Sequence, residues 1–165
     1  MGQGARTATT LAVLSGLVVL ASLWGWQATT KPLPHEEEIP LCSDTTVPAG
    51  TEIFRDQVVV SVFNGSTRTG LASATMEQLV ERGFVEAETG NAPKKVRTVE
   101  IWSDQPTNPA VQLVQQQFRG ARVVSGEQLG LGVVVVVGEQ FKELGPNVES
   151  VTAAADATIC SPPTE

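Results

Sequence analysis

The feature that most constrains this chain is a stretch without a single charged side chain, from Thr7 to Thr30. As a helix, the stretch would be about 36 Å long, which exceeds the roughly 30 Å hydrocarbon core of a bilayer. Trp24 and Trp26 lie at its end, where indole rings favour the headgroup region. The stretch therefore predicts one membrane-spanning helix, at 7–26.

Two other interpretations of this stretch stay open. A cleaved signal peptide is disfavoured, because a small-x-small cleavage site near Ala28 would need a small residue where Trp26 stands. A buried helix of a globular protein is disfavoured by the length of the run and by its lack of a polar stripe. We therefore expect an uncleaved signal anchor. Arg6 favours a cytoplasmic N-terminus at 1–6 and a C-terminal part outside the membrane.

The segment that follows the stretch is rich in proline and glutamate. Residues 27–41 contain three prolines and the consecutive acids Glu36, Glu37 and Glu38. Proline disfavours a regular helix, and like charges extend a chain by repulsion. The segment predicts a stalk that holds a folded domain away from the membrane.

Two cysteines, Cys42 and Cys160, bracket everything that has a folded pattern. Outside the cytoplasm, such a pair is expected to oxidise to a disulfide. The closed loop of about 118 residues corresponds to about 4–5 kcal/mol in the chain-entropy model. This predicts an extracytoplasmic domain at 42–160, with its core at 56–144 and a tail at 161–165. Two unpaired thiols are the alternative.

The composition excludes several classes of function. The chain has 11 Lys and Arg against 18 Asp and Glu, a net charge of −7. A chain this acidic is not suited to binding nucleic acid, because phosphate contacts need clustered bases. Two cysteines and one histidine cannot complete a zinc site of four Cys or His ligands. No nucleophile–base pair or carboxylate pair is apparent, so we expect no catalytic residues, no metal and no cofactor.

The segment between the cysteines alternates between strand-like and helix-like patterns. Its element order, β-α-β-β-α-(β)-β, predicts an α+β domain in which two helices cover a mixed sheet of four to five strands. A ferredoxin-like split arrangement has the same element order. The five consecutive valines of the last strand should be buried on both faces. The predicted strands are 57–63, 84–89, 96–102, 121–124 and 133–137, with a hairpin loop at 90–95, and the predicted helices are 71–82 and 109–119.

The loop after the first strand, Gly65 to Gly70 (GSTRTG), resembles the start of a phosphate-binding loop. Leu71 and Ala72 stand where that loop needs a lysine and a hydroxyl, so no nucleotide site is expected. Two interpretations remain. The amides at the helix start, together with Arg68, could hold a carboxylate or phosphate. Alternatively, the glycines only supply backbone freedom.

Two further features have both a binding and a structural interpretation. Lys94, Lys95 and Arg97 form a basic cluster near the predicted hairpin tip, where they could contact an anionic lipid or polymer or simply be solvated. Trp102 ends a predicted strand and belongs either to the core or to a surface that stacks on sugars.

These motifs together resemble the C-terminal domain of LytR-CpsA-Psr cell-wall proteins, the LytR C-terminal domain family. The resemblance covers roughly half of the chain. Its signature positions are Asn64, Gly65, Gly70 and Asn91. The motifs that carry it are Val60–Gly65 (VSVFNG), Gly70-Leu71-Ala72, Leu79 through Phe84, Gly90-Asn91-Ala92 and the valine strand ending at Gly138.

The resemblance implies an outward-facing envelope protein of a Gram-positive bacterium with high G+C content. The layout of one anchor, one such domain and a cysteine on each side is similar to that of actinobacterial envelope integrity proteins. The phosphotransferase domain that precedes this module in many family members has no counterpart in this sequence, so no catalytic residue carries over.

We therefore expect a non-enzymatic protein, held in the cell membrane by one N-terminal helix, that supports the cell wall by contacting an envelope protein or a wall polymer. A peptidoglycan-binding module is the alternative. The candidate binding residues are Asn64, Gly65, Arg68, Gly70, Asn91, Lys94, Lys95 and Arg97.

Overall fold

The computed structural model describes residues 3–30 and 41–163, with the side chains of 12–25 in the first of these ranges. The chain divides into two units, Met1–Ile39 and Pro40–Glu165. In the first unit, helix α1 covers Gln3–Thr30, and its described side chains are exposed. Within the described residues, no helix combines the length and the apolar character needed for crossing a membrane.

Several predicted segments fall partly outside the described residues. Most of the predicted stalk at 27–41 does so, as do the first two residues of the predicted cytoplasmic segment and the last two of the predicted tail. The tail was predicted to begin at 161, but Ser161 belongs to the last strand of the domain.

The second unit confirms the predicted α+β domain, with a mixed sheet of five strands and two helices. The final predicted strand is found with its predicted bounds, whereas the third is much shorter than expected. The elements are β1 (Ser43–Val47), β2 (Glu52–Phe54), a 3-10 turn (Arg55–Gln57), β3 (Val59–Asn64), α2 (Leu71–Glu81), β4 (Val85–Asn91), β5 (Glu100–Trp102), α3 (Pro109–Gln115), β6 (Arg122–Val124), β7 (Val133–Val137), β8 (Ser150–Thr152) and β9 (Ala157–Ser161).

The five-stranded sheet has the order β4-β3-β7-β5-β6. In both β3-α2-β4 and β5-α3-β6, the two strands are adjacent and parallel. β7 lies between these two units, parallel to β3 and antiparallel to β5. The ferredoxin-like split arrangement is therefore wrong, because β3 and β4 are direct neighbours. The predicted hairpin is also wrong, because β3 and β7 separate β4 from β5.

β7 is the buried centre of this sheet. All five of its valines are buried, and the most accessible, Val133, is 7 % exposed. Side chains alternate across a strand, so the odd-numbered valines pack in the core beneath α2 and α3, and the even-numbered ones pack on the opposite face. The prediction of burial on both faces is confirmed.

A loop at 125–132 covers the face of the sheet opposite the helices, and we call it the covering loop. The Ser61 hydroxyl donates to the Leu131 carbonyl at 2.7 Å, which fixes the loop to β3. A Cβ on Gly126 would lie 2.5 Å from ring atoms of Trp102, so the loop backbone rests directly on the indole. Trp102 is 3 % exposed. It is therefore a core residue, and no sugar-stacking surface is formed by it.

Two short antiparallel ribbons, β1 with β9 and β2 with β8, complete the unit. The Cys42–Cys160 disulfide is present beside the first ribbon, as predicted. Its Cα atoms lie 5.3 Å apart, within the usual range for disulfides. The two ends of the unit are thus joined by both a ribbon and a covalent bond.

Arg82, at the end of α2, holds the segment that leads into β8. Its guanidinium donates to the carbonyls of Pro146 and Gly145 at 2.8 and 2.9 Å, and to Oε1 of Gln117 at 2.8 Å. Gln117 is fully buried, and its Nε2 donates to the Val148 carbonyl at 2.8 Å. The side chains of Arg82 and Gln117 therefore have their hydrogen-bond partners in main-chain carbonyls and in each other.

We predict that Arg82→Gln lowers the free energy of unfolding by about 2–4 kcal/mol, because three charge-assisted hydrogen bonds are lost and Gln117 loses a partner. Urea denaturation followed by circular dichroism measures this change. Arg97→Gln is the matched control, because Arg97 is exposed. Equal stability of the two variants would contradict the role given to Arg82.

Candidate functional site

The carboxyl ends of the parallel strands β4, β3 and β7 lie side by side at one end of the sheet. In open α/β sheets, ligands bind in crevices outside the carboxyl ends of the strands. A cleft of about 580 Å³ opens there, between the end of β4 and the loop that joins β3 to α2. Among the residues that line it are Asn64, Ser66, Arg68, Gly70, Asn91 and Lys95.

Asn64, the last residue of β3, organises the loop at 65–70. Its Oδ1 accepts hydrogen bonds from the amide and the hydroxyl of Ser66, at 2.9 and 2.8 Å. Its Nδ2 donates to the Arg68 carbonyl at 2.6 Å, and the Arg68 amide donates to Oγ of Ser66 at 3.1 Å. These four bonds hold the loop in one conformation, because every polar side-chain atom of Asn64 and Ser66 is used within it.

Glu139 joins the loop after β7 to the loop after β3. Its carboxylate accepts the Thr67 amide at 2.9 Å and the Thr67 hydroxyl at 3.1 Å. The backbone hydrogen bond from Thr67, followed by the hydroxyl bond, lowers the pKa of Glu139. Lys95 and Arg68 act in the same direction, and desolvation opposes them. The ionised carboxylate is thus the form that the site favours.

Two cations lie at the cleft, and each also supports the backbone. Nη1 of Arg68 donates to the Phe141 carbonyl at 2.6 Å, and Nζ of Lys95 donates to the Ser66 carbonyl at 2.9 Å. Both side chains are exposed. Guanidinium has five N–H donors and ammonium has three, so each cation keeps donors for a ligand in the cleft.

The glycines of this loop are required by its geometry. A Cβ on Gly65 would lie 2.8 Å from methyl groups of both Val136 and Val96, so only glycine allows this close approach. Gly70 precedes α2 with a φ of +74°, in the left-handed region that favours glycine. These two signature positions therefore have a structural explanation that needs no ligand.

The structure brings most of the predicted site residues together. Asn64, Arg68, Gly70, Asn91 and Lys95 line the cleft, and Gly65 lies behind it. The basic cluster does not lie at a hairpin tip, because β4 and β5 do not form a hairpin. It is not one surface either, because only Lys95 of its three members lines the cleft. Lys94 stacks on the Trp102 ring at 4.8 Å from its centroid, and Arg97 is not among the residues that line the cleft.

Sequence reasoning missed Ser66, Thr67 and Glu139. A signal for Glu139 was present, since Gly138-Glu139 follows β7 just as Gly65-Ser66 follows β3. Recognising it required knowing that β3 and β7 are parallel neighbours. In the described part of the chain, no three His, Cys, Asp or Glu side chains come together as a metal site would require. The cleft is suited to binding a polar ligand through hydrogen bonds.

We predict that Thr67→Val raises the pKa of Glu139 toward the ordinary glutamate value without reaching it, because the Thr67 amide still donates. In the native chain, the lowered pKa stabilises the fold above the unfolded-state pKa, and this contribution is lost as pH falls through the folded-state pKa. An NMR titration of the Glu139 carboxyl carbon measures the shift. Thr69→Val is the matched control, and an equal shift in both variants would contradict the assignment.

Two of three comparisons relate the chain to known proteins. A family model described as LytR cell envelope-related transcriptional attenuator matches residues 57–141, which include the cleft loop and β3 through β7. Among solved structures, the soluble domain of a conserved hypothetical secreted protein from Mycobacterium marinum is similar, with 17% identity and a TM-score of 0.45. That similarity covers 65% of this chain and 78% of the other. The search of curated proteins gave no match.

Proposed function

Because this chain belongs to the family of LytR cell envelope-related transcriptional attenuators, we propose that it is a non-enzymatic protein that supports the cell envelope by contacting an envelope protein or a wall polymer. The observation that carries this proposal is the family match over the whole of the cleft-bearing sheet. The proposed contact is made through the cleft at the carboxyl ends of β4, β3 and β7.

Two features support a position outside the cytoplasm, held by the N-terminal helix. The Cys42–Cys160 disulfide belongs to an oxidising compartment. The stretch from Thr7 to Thr30 has no charge, and the leucines and valines of α1 that the structure describes are exposed. A helix without a charged side chain has no charged face to offer to water. We propose that this stretch anchors the protein in the cell membrane, with its N-terminus in the cytoplasm.

The chemistry of the cleft supports a binding role over a catalytic one. Glu139, which contacts the cleft residue Thr67, has a lowered pKa, which is the opposite of what a general acid needs. The Ser66 hydroxyl donates to Asn64, and no imidazole is among the residues that line the cleft. The alternative of a peptidoglycan-binding module loses its aromatic platform, because Trp102 is buried.

We predict that deleting the gene increases envelope permeability and antibiotic sensitivity, and that the full chain restores both. A full chain with Arg68→Gln and Lys95→Gln should restore them poorly, because the cleft loses its cations. Arg119→Gln with Lys142→Gln is the matched control, since both side chains are exposed and do not line the cleft. Immunoblots should show equal protein levels. An unchanged envelope in the deletion strain would refute the proposed function.

The proposed anchor predicts that the full chain fractionates with membranes and resists extraction by carbonate. Protease added to cells with permeable walls should degrade the domain, because it faces outward. Mass spectrometry of the N-terminal fragment should show Arg6 on the membrane-bound protein, since no cleavage is expected. Recovery of the protein from the medium without its first 26 residues would contradict the anchor.

A further inference from the structure

β4 is a long edge strand with an open side. It has seven residues, and in the part of the chain that the structure describes only β3 pairs with it. The strand at the other edge of the sheet, β6, has three residues. An edge strand presents unpaired N–H and C=O groups that can accept a further strand. β4 is therefore the edge of this sheet with the most main chain available to a partner.

The side chains of β4 give this edge a negative charge. Glu86 and Glu88 are both exposed, and neither takes part in an ion pair among the described residues. No lysine or arginine occurs between Arg82 and Lys94, so β4 itself contains no base. The edge thus combines main-chain donors and acceptors with two uncompensated carboxylates.

The charge and the shape of β4 disfavour pairing with a second copy of the chain. Like charges directly opposite each other on neighbouring strands are destabilising. The register with β3 also shifts between Val60 and Val62, so Ala87 and Glu88 lie opposite Ser61. Such a bulge twists a strand, and a twisted edge fits poorly against another flat sheet edge. A single flexible strand can follow the twist.

We propose that β4 binds an extended segment of a partner protein that carries lysine or arginine on both faces of its strand, so that main-chain hydrogen bonds extend the sheet and a basic side chain faces each of Glu86 and Glu88. The two glutamates lie on opposite faces of the sheet, because Glu86 pairs with Val60 whereas Glu88 lies opposite Ser61. The charge complementarity selects this partner over neutral and acidic strands. The proposal goes beyond the proposed function, and it uses neither the cations nor the loop of the cleft. It therefore stands or falls independently of the deletion phenotype.

Hydrogen–deuterium exchange of the full chain in detergent micelles tests the proposal. The probe is a seven-residue peptide with blocked ends, in which two valines separate two pairs of lysines and a valine ends the sequence, so that lysines lie on both faces of the strand. We expect it to slow amide exchange at 85–91. The same peptide with alternate amides N-methylated keeps its charge but cannot extend a sheet, so it should give no protection there. The same peptide with glutamate in place of each lysine should also give none.

Variants of β4 separate the charge from the main chain. Glu86→Gln with Glu88→Gln should weaken binding of the lysine peptide roughly tenfold, since two opposite-charge cross-strand pairs are lost. Glu77→Gln with Glu81→Gln, on the exposed side of α2, is the matched control and should bind as the native chain does. Glu86→Lys with Glu88→Lys should bind the glutamate peptide instead.

Four results would overturn the proposal. They are protection outside 85–91 only, no protection by the lysine peptide, equal protection by the N-methylated peptide, and equal weakening in the α2 control. Protection of 85–91 that rises with protein concentration in the absence of peptide would assign the edge to a second copy of the chain.

Discussion

The parallel pairing of β7 with β3 is the interaction on which the rest of the domain depends. β7 is an all-valine strand with no polar side chain, so it is stable only where both of its faces are covered. Its position between β3 and β5 joins two βαβ units that would otherwise be separate. The helices cover one face of β7 and the covering loop covers the other, so the core has two layers of side chains around one strand.

The cleft is a consequence of this pairing. Because β3 and β7 run in the same direction, the loops that follow them leave the sheet side by side, and Glu139 reaches Thr67. The backbone approaches closely here, which explains the glycine at 65, whose Cβ would meet Val136. Hydrogen bonds then use the polar side chains of Asn64, Ser66 and Thr67. A ligand would meet a surface already fixed in shape, which reduces the ordering cost of binding.

Much of this architecture could be predicted from local pattern, and the rest depended on contacts distant in sequence. The valine run, the helix before Gly83 and the cysteine pair all have strong local signals. The strand order had none, since the insertion of β7 between β3 and β5 is decided by burial of the whole sheet. The hairpin prediction failed because only Glu100–Trp102 of the second predicted strand forms a β-strand. That strand, β5, lies between β7 and β6 and not beside β4. Some of the residues that line the cleft could be named from the sequence because Asn64 and Arg68 are close along the chain, whereas Glu139 is far from both.

The placement of charge decides how such a domain can recognise anything. Most of its bases are engaged internally: Arg82 and Lys95 donate to backbone carbonyls, Arg122 pairs with Glu100, and Lys94 stacks on Trp102. Residues 27–165 carry ten bases against 18 acids, and many of the acids are exposed. The net charge therefore repels an anionic polymer at long range. Physiological salt screens this repulsion beyond about 8 Å. Recognition of such a polymer has to rely on short-range contacts, in which hydrogen-bond geometry outweighs net charge.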